Sequence, residues 1–163
     1  MGHVIYNISE TLSDSEEALI CKLIQGKLTF VHISLWPALY RIVTDAQWIS
    51  ERIPRLKPVA RKILETLQEI ENASTDQLRE ILFLNDKQDR KNLSKAILEL
   101  ETYVLVHSRS VHTEKGKHVR LLERWEMWGS EKIKAEAGTF GFAEARSQVL
   151  KYCGTEENSL LFD

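Results

Sequence analysis

The sequence predicts a mainly α-helical fold with one small β-hairpin. Two observations carry this. Apolar residues recur every three or four positions through 59–71, 75–83 and 87–102, with short turns between these stretches. After Tyr103 the pattern changes to β-forming residues that reverse near Gly116. The chain has 163 residues, the length of one domain or of two small ones sharing a core, and its 43% apolar and 28% charged fractions are ordinary for a globular chain. Seven Gly and three Pro are too few for collagen-like repeats or long disordered linkers. No run approaches the roughly 18 apolar residues of a membrane helix, so no membrane partner is expected. The start lacks a basic stretch followed by an apolar one, so no secretory signal is expected. Cys21 and Cys153 cannot make a disulfide framework, and a reducing cytoplasm is the expected location.

Ser13-Asp14-Ser15-Glu16 has the form of a capping box, and Gly26 that of a helix stop. A helix is therefore expected over 14–25. Residues 28–35 are β-branched and aromatic and suit a short strand or extended segment. Pro37 opens a helix over 37–52 that would bury Leu39, Tyr40, Val43, Ala46 and Trp48 or Ile49. Pro58 opens the next, with Val59, Ala60, Ile63, Leu64, Leu67 and Ile70 on one stripe. Asn72-Ala73-Ser74 reads as a turn, and Ser74 to Gln77 as a second capping box. A short helix follows with Leu78, Ile81 and Leu82. Asn85-Asp86 caps a helix over 87–102, whose stripe is Leu93, Ile97 and Leu100. Strands are expected over 104–111 and 118–125, and helices over 131–137 and 142–153.

Three helices and then a hairpin is the order of a winged helix-turn-helix. The expected organisation is one domain, 1–163, with a winged-helix core over 58–125. An N-terminal helical segment over 14–52 and C-terminal helices over 131–153 would flank it. In such folds the third helix commonly enters the major groove of DNA.

The charge pattern agrees with that use. The overall charge is -2, but residues 87–120 hold eight Lys/Arg against four Asp/Glu, a net +4, and three of the five histidines. At about 100° per residue, Gln88, Lys91, Lys95 and Glu99 lie opposite the apolar stripe, with Asn92 and Ser94 beside them. Amides and lysines are side chains that read base edges or hold phosphates. The hairpin adds Arg109, His112, Lys115, Lys117, His118 and Arg120. The candidate nucleic-acid-binding residues are thus Gln88, Lys91, Asn92, Lys95, Arg109, Lys115, Lys117 and His118. Double-stranded DNA is the expected partner, and a second copy of the chain is a further candidate.

Ile33-Ser-Leu-Trp-Pro-Ala-Leu-Tyr-Arg-Ile42, Pro58-Val-Ala-Arg61, Lys95-Ala-Ile-Leu-Glu-Leu100 and Glu144-Ala-Arg-Ser-Gln-Val-Leu-Lys-Tyr152 share a further property. Together they resemble bacterial winged-helix proteins of unknown function related to the AlkZ/YcaQ DNA glycosylases. The resemblance spans roughly residues 28–153 and implies a winged-helix fold in a nucleic-acid context. Those glycosylases are larger, have tandem winged helices and carry a catalytic Gln-x-Gln or Gln-x-Asp. None of Gln25, Gln47, Gln68, Gln77, Gln88 or Gln148 begins such a triplet. The repair activity is therefore not expected to carry over.

Other chemistry is sparsely encoded. The cysteines lack zinc-ligand spacing, and no phosphate-cradling glycine motif occurs, so no metal or cofactor is expected. Asp76 and Glu80 suit a solvated helix face, and His32 a hydrogen-bonded structural role. No catalytic residue is assigned. The expected function is a non-catalytic DNA-binding protein, such as a regulator. The alternatives are a protein-interaction or dimerisation module, which would present an apolar patch, and an accessory protein of DNA repair.

Overall fold

The computed structural model describes residues 17–24, 26–84, 86–112 and 118–153. They form a mainly helical protein with two small antiparallel sheets. No described helix is long and apolar enough to cross a membrane. The chain divides into two compact units, one from Met1–Ile42 with Ser130–Asp163 and the other Val43–Gly129.

In the first unit, β1 (Ala18–Ile24) pairs antiparallel with β2 (Lys27–His32), Leu19 opposite Val31 and Ile20 opposite Phe30. This corrects the helix expected over 14–25, whose proposed cap at 13–16 lies outside the described residues. Leu19 and Leu23 are the buried positions of β1. A spacing of four satisfies a helix and a strand equally, and the pairing with β2 decides the matter. Gly26, expected to stop a helix, instead takes φ 67° between the strands, a conformation open to glycine.

A 3-10 turn, Ile33–Leu35, is capped by His32, whose Nδ1 accepts from the Ser34 N–H at 3.3 Å. It leads into α1 (Trp36–Val43). The Trp36 indole N–H donates to the Val31 carbonyl at 2.9 Å and ties this helix to β2. The unit is completed by α7 (Glu131–Ala137) and α8 (Phe142–Cys153). Arg41 Nε donates to the Phe140 carbonyl at 3.2 Å, so α1 is tied to the turn between these two helices.

The second unit opens with α2 (Ala46–Arg52). The single helix expected over 37–52 is therefore broken at Thr44-Asp45. The Asp45 carboxylate accepts from the N–H groups of Gln47 and Trp48, starting a new helix. Arg52 is buried, its guanidinium 3.2 Å from the Trp48 ring centroid. Burial, with the nearby Arg55 charge, lowers its pKa to about 10, so it stays charged at neutral pH.

Then come α3 (Pro58–Ile70), β3 (Asn72–Ser74), α4 (Thr75–Ile81), α5 (Lys87–Thr102), β4 (His107–His112), β5 (His118–Glu123) and α6 (Trp125–Trp128). The three central helices match the expected stretches within two residues at each end. The expected hairpin strands over 104–111 and 118–125 are shifted or shortened. The turn expected at 72–74 is a strand: β3 pairs with β5, and the sheet order is β3-β5-β4.

One apolar cluster joins these elements. It holds Ile63, Leu64 and Leu67 of α3, Ala73 of β3, Leu78 of α4, Leu93, Ile97 and Leu100 of α5, and Leu122 of β5. Ile70 and Ile81, expected on buried stripes, are exposed at the ends of their helices. Leu67 and Ile97 are 0% and 1% exposed. Replacing either by Ala should cost about 2–5 kcal/mol in urea unfolding. Leu98→Ala, on the open side of α5, should cost well under 1 kcal/mol by the same measurement.

Candidate nucleic-acid interface

The candidate interface begins with α5. Asp86 Oδ1 accepts from the Asp89 N–H at 2.7 Å, and Asp89 Oδ2 accepts from the Asp86 N–H at 3.4 Å, a reciprocal capping box. These carboxylates satisfy the helix start and complement its dipole. They also repel phosphate there, so anion contact is favoured one and two turns further on, at Lys91 and Lys95.

With Leu93, Ala96, Ile97 and Leu100 buried, Gln88, Lys91 and Lys95 are exposed on the open side and Asn92 is half-buried. Gln88 Nε2 donates to Asn92 Oδ1 at 3.0 Å, which holds the two amides in one arrangement. Among the described residues, no carboxylate forms an ion pair with Lys91 or Lys95. Glu99, at the far end of the same stripe, has an internal role. Its Oε1 accepts from the Lys57 N–H at 3.0 Å and so caps the start of α3. Sequence reasoning missed this because the partners lie 42 residues apart.

The hairpin residues are engaged differently. Arg120 donates to Glu101, a buried carboxylate on α5 that also accepts from the Ser108 hydroxyl. Arg120 therefore neutralises an internal charge and pins the end of α5 to the sheet. Arg109 lies 3.4 Å from Glu123, yet its side chain is 52% exposed and accessible to an anion. His118 is exposed, and its Nδ1 lies 3.4 Å from the Ser110 hydroxyl. Lys115 and Lys117 lie outside the described residues. Arg109 and His118 thus sit on the hairpin, and Gln88, Lys91, Asn92 and Lys95 on α5.

At the open end of the hairpin, away from its turn, buried His107 donates from Nδ1 to Glu123 Oε1 at 2.9 Å. Its ring centroid lies 5.3 Å from that of Trp125 and 5.7 Å from that of Trp128. The hydrogen bond from His107 holds the Glu123 carboxyl below the usual range and outweighs the opposing effect of burial; the charges of His107 and Arg109 act in the same direction. Sequence reasoning missed this cluster as well. No group of three or more His, Cys, Asp or Glu among the described residues is disposed to hold a metal ion.

A carboxylate whose pKa is lowered in the folded state stabilises that state above its unfolded pKa. The contribution is lost as pH falls through the folded pKa. Glu123→Gln should therefore destabilise the protein by about 1–3 kcal/mol at pH 7. Urea melts should show the gap to wild type narrowing below about pH 4, where Glu in the unfolded chain protonates.

No curated protein and no solved structure matches the chain. A family model, AlkZ related, matches residues 6–155 and so spans both units. The chain belongs to the AlkZ-related family.

Proposed function

We propose that the Val43–Gly129 unit is a winged helix that binds double-stranded DNA, with α5 as the groove helix and the β4–β5 hairpin as the wing. The role is non-catalytic, such as that of a regulator. The observation that carries this reading is the exposed pair Lys91 and Lys95. They stand opposite a fully buried stripe, with no ion pair to a described carboxylate. The element order α3-α4-α5-β4-β5, with β3 completing a three-stranded sheet, fits a winged helix. Membership of the AlkZ-related family supports a DNA-related role. Gln88 and Asn92 supply the amide chemistry that reads adenine edges, and the lysines and Arg109 supply phosphate contacts.

Phosphate contacts release counterions, so binding must weaken with salt. Contacts from Lys91, Lys95, Lys115 and Lys117 alone give a slope of about -3.6 in log K against log[salt], and one from Arg109 steepens it to about -4.5. Fluorescence anisotropy with random-sequence duplex DNA at several salt concentrations measures this. Changing Lys91 and Lys95 to Glu should weaken binding at least tenfold. The same change at Lys132 and Lys134 should leave affinity within about twofold. Both variants move the net charge from -2 to -6, so only position separates them. Equal losses, or no salt-dependent binding by wild type, would refute the DNA reading and favour an interaction module.

A further inference from the structure

Two helices of the second unit end in the same way. After α4, the Phe83 N–H donates to the Glu80 carbonyl at 3.2 Å and the Leu84 N–H to the Arg79 carbonyl at 2.9 Å. After α5, the Val104 N–H donates to Glu101 at 3.1 Å and the Leu105 N–H to Leu100 at 2.9 Å. Both are Schellman endings, in which the residue after the cap takes a left-handed conformation and is usually glycine. Here the residues are Phe83, φ 54°, and Val104, φ 53°. Bulky side chains are outliers in that region.

The two differ in what the conformation secures. Val104 is 2% exposed, so its side chain is packed inside. Phe83 is 83% exposed, the most exposed of the large apolar side chains among the described residues. The backbone strain at Phe83 therefore gains no burial. Its neighbours Leu82 and Leu84 pack against the apolar cluster and fix the turn, while Phe83 is held outside it. Ile81, also exposed, adds to the same apolar corner. Phe83 stands four residues before Lys87, the first residue of α5; the carboxylates of Asp86 and Asp89 are tied to the helix start by the capping box, and the helix then presents Arg90, Lys91 and Lys95 to solvent.

An exposed aromatic ring followed, past the two carboxylates that the capping box engages, by exposed cations matches a polyanion that carries flat apolar faces between its charges. Nucleic acid has that chemistry. We infer that Phe83 is a stacking wedge, whose ring enters a base step of the duplex that α5 engages. The inference rests on the DNA-binding reading and adds to it a deformation of the DNA. Apolar wedges of this kind unstack a step and kink the duplex, so flexible pyrimidine–purine steps should be favoured.

The test uses the full chain and duplexes carrying 2-aminopurine at a TA step, whose emission rises when the base is unstacked. Phe83→Gly is the informative variant, because glycine suits the left-handed backbone and should melt no lower than wild type. Wild type at saturation should raise the emission at least twofold. Phe83→Gly should abolish the rise and weaken binding roughly tenfold, with the salt slope unchanged because the phosphate contacts remain. A Phe83→Gly protein that binds and unstacks like wild type would overturn the wedge while leaving DNA binding intact. An emission rise of equal size with loss of self-association in sedimentation would also overturn it, and assign the ring to a second copy of the chain. Absence of any salt-dependent binding by wild type would remove the DNA reading and the wedge together.

Discussion

The arrangement of the second unit depends on the burial of one stripe of α5. Leu93, Ile97 and Leu100 are each 3% exposed or less, in a cluster to which α3, β3, α4 and β5 also contribute. Full burial of each such side chain is worth about 1.5–3 kcal/mol. Rolling the helix by one residue, about 100°, would expose these side chains and drive charged ones into the cluster. The roll of α5 is therefore fixed by the core, and the outward position of Lys91 and Lys95 is a consequence of packing. Any site on that face is carried on a rigid element.

Electrostatics refine the face more than net charge suggests. The +4 of residues 87–120 counts Glu99 and Glu101 as negative and Arg120 as positive. Glu99 is directed to the start of α3, and Glu101 and Arg120 neutralise each other between α5 and the sheet. The exposed cations of α5 therefore act with less opposition than the sequence total implies. At the hairpin, the indoles of Trp125 and Trp128 flank His107, which holds Glu123, which in turn holds Arg109. The same carboxylate stabilises the fold and restrains one of the candidate phosphate contacts.

Much of the second unit was legible because its signals are local. The Ser74–Gln77 capping box and the Asp86 cap set two helix starts, and the apolar stripes identify Leu67 and Ile97 as core. The first unit was harder. Leu19 and Leu23 satisfy two periods at once, and a strand was settled only by the partner carrying Val31. The break at Asp45 had a local signal, an N-cap residue, overridden by the apolar pattern that continues through it. The three-residue strand β3 is too short to show a period and exists by its pairing with β5. In the candidate site, exposed side chains on α5 follow from angle alone. The links Glu99 to Lys57, Glu101 to Arg120 and His107 to Glu123 join distant segments and leave no mark in local sequence.

In the function proposed, packing of the apolar stripe turns α5 into a DNA-contacting face. An amide and side-chain NMR titration of the full chain with a short duplex tests it most directly. The largest shifts should fall on Gln88, Lys91, Asn92 and Lys95, with a second group on the hairpin at Arg109 and His118. Lys132 and Lys134 should be unaffected. Shifts confined to the β1–β2 hairpin, or none at duplex concentrations of hundreds of micromolar, would contradict it.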